Sequence, residues 1–140
     1  MSNDQHSMSK GENKTDRRYD LEERLMRFAD RILNVVDSLP RTRTGNHIGN
    51  QLVRCGSSPV ANYGEAQSAE SRSDFIHKLK LSLKELRETR IWLRLIQRRL
   101  LIKPAAKLAP LLKECDELIA IFAASARTAE KKNARPSNGP

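Results

Sequence analysis

Aromatic side chains and cysteines are scarce in this sequence. Its 140 residues include three Phe, two Tyr, one Trp and two Cys. A core with so few rings has to be built from Leu, Ile, Val and Ala, which is typical of packed helices. Cys55 and Cys115 each lie in an apolar periodic stretch without metal-ligand spacing, so we expect two buried free thiols and no disulfide.

Long apolar runs are also missing. No run approaches the roughly 18 residues of a membrane-spanning helix. The first residues are polar, with none of the apolar segment that a secretory leader needs. These absences favour a cytoplasmic protein that does not engage membranes.

Motifs for catalysis and for metal or cofactor binding are absent too. None of the three histidines has a Glu at metal-ligand spacing on a shared helix face. There is no glycine loop that could hold phosphates and no nucleophile motif. Glu85 and Glu88 lie beside Arg87 and Arg90, which indicates surface ion pairs instead of an acid-base couple. We therefore predict no enzymatic activity, no cofactor and no metal site.

Positive charge is what the sequence has in excess, with 26 Lys and Arg against 17 Asp and Glu. The stretch 73–101 alone holds eight basic and three acidic residues, and it contains no Gly or Pro. At about 100° per residue, this stretch predicts a helix with an apolar face and an opposite basic face. The apolar face comprises Phe75, Leu79, Leu86, Leu93, Ile96 and Leu100. The basic face comprises Lys80, Lys84, Arg87, Arg94 and Arg98. We predict that these five basic side chains bind the phosphates of RNA or DNA.

Apolar periodicity divides the chain into four helices between polar ends. We predict a disordered arm at 1–18, an all-α, antiparallel up-down four-helix bundle at 19–128 and a disordered basic tail at 129–140. The first helix is expected to begin at an Asp20 N-cap, and the third to follow Ser71 or Ser73. The first helix is expected to end at Leu39, before Pro40, and the second, over about 45–70, to have Thr44 or Asn46 as its cap. The third is expected to end at Leu101. The fourth is expected to begin at Pro104 or Pro110 and to end at Thr128.

The second helix carries a proline and an amide on its apolar face. Pro59 and Asn62 occupy core positions of a 4-3-4-3-4 pattern that runs from Ile48 to Ala66. Because the register continues across the proline, we predict one kinked helix instead of two. Small residues around the proline, Gly56 among them, favour close approach of a neighbouring helix.

Polar and aromatic side chains near this region need either a structural or a binding role. A buried Asn62 has to hydrogen-bond. We expect it to satisfy carbonyls freed by Pro59 or to fix the register of the bundle, with ligand binding as the alternative. Tyr63 and Trp92 are expected to anchor the core or an interface, because aromatics are too few to form a base-stacking surface.

An ordered set of uncommon residues spans 51–95 and continues at 108–128. Its matching elements are Arg54, Gly56, Ser58, Ala61, Asn62, Tyr63, Glu65, Ala66, Asp74, Phe75, Ile76, Lys78, Leu79, Lys84, Glu85, Glu88, Thr89, Trp92 and Leu93. In these residues the sequence resembles the bacterial four-helix bundle proteins, also called 23S rRNA intervening-sequence proteins or the S23 family. The resemblance covers about 19–128 and departs from the family pattern at Pro59 and Gly64.

The resemblance implies an antiparallel bundle that assembles into a homopentameric ring. It also implies kinship with the accessory protein of diversity-generating retroelements, a basic pentamer that binds nucleic acid and a reverse transcriptase. We therefore hypothesise a non-enzymatic, oligomeric nucleic-acid-binding protein, an accessory to a ribonucleoprotein or a reverse transcriptase. The alternative is a protein-interaction scaffold, in which the basic face pairs with a neighbouring subunit, for instance through the net-acidic first helix, or with an acidic partner protein.

Overall fold

The computed structural model describes residues 14–134, with side-chain environments from residue 20 onward. In this range four α-helices follow one another, and a short 3₁₀-helix precedes the last. Their bounds are α1 Lys14–Ser38, α2 Arg43–Gln67, α3 Arg72–Arg98, the 3₁₀-helix Ala105–Leu108 and α4 Ala109–Ala134. Connections of a few residues turn each helix back along the one before it. The predicted all-α, antiparallel up-down four-helix bundle is confirmed.

One aliphatic core fills the space between the helices. The apolar face predicted for α1 is buried, since Leu25, Phe28 and Ile32 are each at most 1% exposed. Cys55 and Cys115 are buried free thiols, as predicted. Burial raises the pKa of Cys115 to about 12, so this thiol stays protonated at neutral pH.

The helices pack mainly against their neighbours in sequence. α2 packs against α1 and α3, and α3 packs against α2 and α4, whereas α1 and α4 are the least closely packed neighbours. Their contact, the α1–α4 seam, is joined by ion pairs. The Arg24 guanidinium donates to both carboxylate oxygens of Glu114, at 2.8 Å each, and to Oε1 of Glu117 at 2.7 Å. Arg24 thus forms a bidentate ion pair between α1 and α4, the two neighbouring helices that pack least closely.

The second helix continues unbroken across Pro59, so the prediction of one helix instead of two is confirmed. Pro59 has no N–H to donate to the preceding turn. The hydroxyls of Ser57 and Ser58 donate one turn back, to the carbonyl oxygens of Val53 and Arg54 at 2.5 and 2.6 Å. Such bonds often accompany bent helices, and the kink itself stays a prediction.

Hydroxyl side chains cap the second and third helices. Thr42 has an extended backbone, and its Oγ1 accepts a hydrogen bond from the N–H of Gly45 at 3.0 Å. The predicted caps Thr44 and Asn46 are therefore wrong, because both residues already lie inside α2. The Oγ of Ser71 accepts from the N–H three residues later at 3.0 Å, which confirms the first of the two caps predicted for α3.

The first and last helices extend beyond the predicted bounds. α1 begins at Lys14, so Asp20 lies inside the helix and is not its N-cap. α4 begins at Ala109, which makes Pro110 a residue of its first turn, and it continues to Ala134. The α1 extension is polar, so an apolar period cannot signal it, whereas Ala129 continues the buried face of α4 for one more turn.

The predicted terminal segments overlap these extensions. Residues 14–18 of the predicted arm and 129–134 of the predicted tail belong to helices. The rest of both segments lies outside the described residues. The division into arm, bundle and tail stays a prediction.

The third helix ends before its predicted last residue. Arg98 is its last helical residue, and Leu100 takes a left-handed backbone with φ of 54°. The N–H of Leu101 donates to the carbonyl of Ile96 at 3.0 Å, which closes the helix as a Schellman motif. The placement of Leu100 on the apolar face is wrong, because the left-handed turn takes it out of register and leaves it 53% exposed.

Gly56 marks a close approach between α1 and α2. A Cβ atom at this position would lie 2.5 Å from Cγ2 of Ile32 and 3.1 Å from its Cβ. Ile32 is fully buried, so the surrounding core resists its displacement. The predicted use of small residues for close helix packing is confirmed at Gly56.

Gly56→Ala is expected to destabilise the bundle by roughly 1–3 kcal/mol, the usual cost of overpacking a core. Gly64→Ala is the matched control, because nothing lies within 4 Å of its added methyl group. Alanine there is expected to stabilise α2 by about 0.5–1 kcal/mol. Urea unfolding of both variants measures the difference. Equal stabilisation by the two substitutions would contradict the close approach of Gly56 to Ile32.

Leu100→Gly is expected to stabilise the protein by about 1 kcal/mol, because a left-handed backbone costs a non-glycine residue about that much. Leu100→Ala is the control, since it removes the same exposed side chain and keeps the strained backbone. Thermal unfolding of the two variants separates backbone from side-chain effects. A glycine variant no more stable than the alanine variant would count against a strained helix end.

Candidate nucleic-acid interface

The predicted basic residues lie together on the outer face of α3, opposite the core. We call this set, Lys80, Lys84, Arg87, Arg94 and Arg98, the basic stripe, and all five side chains are exposed. Spacings of four, three, seven and four residues place them on one helix surface, with one turn between Arg87 and Arg94 that carries no cation. Between the first and last members the helix rises about 27 Å.

The members of the basic stripe differ in their counterions. Lys80 forms an ion pair with Glu130 on α4. Among the described residues, no carboxylate pairs with Lys84, Arg87, Arg94 or Arg98. Four positive charges on one helix surface therefore face solvent with no carboxylate partner among the described residues.

Glu85 and Glu88 of α3 turn toward α2 instead of toward the basic stripe. Oε1 of Glu85 accepts a hydrogen bond from Nδ2 of Asn62 at 2.8 Å. Oε2 of Glu88 accepts from the Arg54 guanidinium and, at 3.1 Å, from the Trp92 indole. The predicted pairing of Glu85 and Glu88 with neighbouring arginines of their own helix is wrong, because α2 supplies closer donors. Arg90 pairs with Asp116 on α4.

Asn62 has a different partner from the one predicted. It is half-buried, and its amide binds Glu85 across the helix interface, whereas we expected backbone carbonyls freed by Pro59. The sequence did not reveal this partner, since a carboxylate 23 residues away gives no local signal. The bond fixes one position of α2 against α3, which agrees with the expected role in bundle register.

The remaining motif residues have structural surroundings. Pro59 and Tyr63 are buried in the core face of α2. The Tyr63 ring meets Phe122 edge-on with centroids 5.8 Å apart, and the Trp92 ring meets His47 at 5.9 Å. Both aromatic residues thus anchor helix contacts, as predicted.

An apolar groove interrupts the basic stripe, and sequence reasoning missed it. Ile91 is 62% exposed and lies between Arg87 and Arg94 on the same helix surface. An open groove of about 550 Å³ is lined by Ile91, Arg94, Leu95, Gln97, Arg98 and Ala105. The same 100° periodicity places Ile91 in line with the stripe, so the pattern held a signal for it.

Along residues 14–134, no group of three or more His, Cys, Asp or Glu side chains is placed to hold a metal ion. No helix in that range is long and apolar enough to cross a bilayer.

Glu85 is held in an environment that disfavours its charge. Burial raises the pKa of Glu85, and the hydrogen bond from Asn62 only partly opposes this effect. A carboxyl whose pKa is raised on folding binds its proton more tightly in the native state. Its contribution to stability is therefore largest below the ordinary glutamate pKa and is lost as the pH rises through the raised value.

Glu85→Gln keeps an oxygen acceptor for Asn62 and removes the ionisation. The free energy of unfolding of this variant, relative to the wild-type protein, is expected to increase between about pH 4 and about pH 7. Urea unfolding at several pH values measures the increase. Glu22→Gln removes one exposed carboxylate from α1 and corrects for the general change in charge. A relative stability that falls with pH would contradict the burial of Glu85.

Comparison with known proteins identifies a family and solved structures with the same fold. The model of the 23S rRNA-intervening sequence protein family matches residues 17–124. A crystal structure from Bacteroides thetaiotaomicron VPI-5482, of a protein with unknown function from the S23 ribosomal protein family, is 30% identical with a TM-score of 0.71. The match covers 79% of this chain and 97% of that one. No curated protein matches the chain.

The family match spans the bundle from α1 into α4, and the solved relative has the same fold along nearly its whole length. The residues that carry the resemblance lie mostly on α2 and α3, where Asn62, Glu85, Arg54 and Glu88 join the two helices. The chain belongs to the 23S rRNA-intervening sequence protein family.

Proposed function

We propose that this protein is a non-enzymatic nucleic-acid-binding protein of the cytoplasm that holds RNA or DNA on the basic stripe. The observation that carries the proposal is the set of four exposed cations, Lys84, Arg87, Arg94 and Arg98, which have no counterion among the described residues. Cys55 and Cys115 are free and buried, which suits a reducing compartment.

The physical basis is the accumulation of like charge on one surface. From Lys84 to Arg98 the helix rises about 21 Å, so the four cations repel one another over a short distance. A phosphate backbone relieves this repulsion and releases its own condensed counterions. Such contacts position a nucleic acid without reading its bases. The proposed binding is therefore weakly sequence-specific and strongly dependent on salt.

The proposal includes a homo-oligomer, with the pentamer that the family resemblance implies. Five copies would present five basic stripes on one assembly, which multiplies the local positive charge. In this form the protein would act as an accessory to a ribonucleoprotein or a reverse transcriptase. Native mass spectrometry tests the assembly, with five copies of the 15.9 kDa chain as the expected mass.

The quadruple variant K84Q/R87Q/R94Q/R98Q is expected to fold but to lose most of its affinity for RNA and DNA. If each protomer makes four phosphate contacts to a single strand, wild-type binding should weaken about 50-fold between roughly 50 and 200 mM salt. The variant should show almost no salt dependence. Fluorescence anisotropy with a labelled oligonucleotide measures both quantities, and circular dichroism checks the helical content.

The matched control is R31Q/R41Q/K113Q/R127Q, which removes the same number of exposed charges away from α3. It distinguishes the effect of where the positive charges lie from the effect of how many are removed. Equal loss of binding in both variants, or wild-type binding unchanged by salt, would overturn the proposal. A quadruple stripe variant with an altered native mass would instead place the stripe at a subunit interface, as the scaffold alternative requires.

A further inference from the structure

Ile91 is the most exposed large apolar side chain among the described residues, at 62%. It lies where the spacing of the basic stripe would otherwise place another cation. Ile91 and Leu95 line the groove of about 550 Å³, and Arg94 and Arg98 line it with them. The Gln97 amide donates to the Ala105 carbonyl at 3.3 Å and ties the start of the 3₁₀-helix to α3. The groove is thus bounded by two elements of the fold.

The groove combines an apolar surface, which can contact a nucleobase, with guanidinium groups, which can stack on the base or bind its phosphate. Positions 91, 94, 95 and 98 are related by three and four residues, so they form one compact patch on the helix. Apolar side chains can contact the flat face of a base. A guanidinium can stack on that face or bind the adjacent phosphate.

Base stacking limits which bases can reach this groove. In a duplex each base face is covered by its stacked neighbours, and the deep, narrow major groove of A-form RNA cannot be read by side chains. A duplex can therefore offer phosphates to the basic stripe, while its paired bases stay stacked and out of reach. Only an unpaired, unstacked base can enter the groove.

We propose that the groove beside Ile91 binds an unstacked nucleobase, and that the basic stripe therefore prefers single-stranded or looped nucleic acid to a duplex. This inference rests on the proposed function, since the cations must first hold the phosphate backbone. The groove then adds an apolar contact that only a single strand can use. Affinity differs between strand forms because of Ile91 and Leu95, and salt dependence comes from the cations.

The test compares an unstructured RNA of about 20 nucleotides, several times a minimal single-strand site, with the duplex of the same sequence. Ile91→Ala is expected to weaken single-strand binding about fivefold, because apolar contact is lost, and to leave duplex binding within about twofold. Ile91→Tyr is expected to tighten single-strand binding, because an aromatic ring stacks on a base. Leu33→Ala, on the exposed face of α1, is the control and should change neither affinity.

The outcomes separate this inference from the proposed function. Equal wild-type affinity for both strand forms, with no effect of either Ile91 substitution, would overturn the base-binding groove and leave the phosphate-binding stripe intact. Failure of both strand forms to bind would overturn both proposals. If Ile91→Ala changes the native mass of the protein without nucleic acid, the groove is a protein contact and the inference is wrong.

Discussion

Hydrogen bonds between α2 and α3 determine how charge is distributed over this bundle. Asn62 binds Glu85, and Arg54 binds Glu88, so the two central carboxylates of α3 are directed to one side. Without its bond to Arg54, Glu88 could reach Lys84, four residues earlier on the same helix, and neutralise it, as pairs at this spacing commonly do. The same contacts fix α2 against α3 and leave the outer face of α3 positive. One set of contacts therefore serves both the register and the electrostatic potential of the bundle.

The core between α2 and α3 contains polar side chains that a strict apolar pattern would exclude. Ser82 and Thr89 lie on the buried face of α3 and are fully buried. Each hydroxyl donates to a backbone carbonyl one turn back along its own helix, Ser82 to that of Lys78 at 3.1 Å and Thr89 to that of Glu85 at 2.8 Å. Because these hydroxyls are satisfied, they can be buried without an unpaired donor, and the Ser82 hydroxyl also lies 3.4 Å from the carbonyl oxygen of Pro59 on α2. Small satisfied hydroxyls allow the two helices to approach where larger side chains would separate them.

The fold followed from sequence because its main signals are periodic. The apolar face from Leu25 to Val35 and the unbroken register across Pro59 repeat over many turns, and each repeat reinforces the last. Family resemblance supported the same architecture. The helix ends were less predictable, since the polar first turns of α1 have no apolar period. Leu100 likewise gives no local sign that it will adopt a left-handed backbone.

The site could be predicted only in part. The positions of the basic stripe follow from helix geometry, and the structure places all five side chains on one exposed face. Their counterions do not follow from the geometry of α3 alone, because Lys80 forms an ion pair with Glu130, which lies on α4 and 50 residues later in the chain. The partner of Asn62 depends in the same way on the packing of two helices. Long-range pairing is a property of the assembled bundle, so a single helical pattern cannot reveal it.

The α1–α4 seam depends on ion pairs more than the other helix contacts do, because these two helices have the least other packing between them. The Arg24 carboxylate pairs that join it are partly exposed, at 35% for Arg24 and 18% and 49% for Glu114 and Glu117. Exposed ion pairs contribute about 0–1 kcal/mol each and weaken as salt screens them. The Arg54–Glu88 pair between α2 and α3 is exposed as well, but much more extensive packing, which salt does not screen, accompanies it. Rising salt should therefore separate α1 from α4 before it affects the rest of the fold. The contact between these two helices can then open and close while the face that carries the basic stripe keeps its structure.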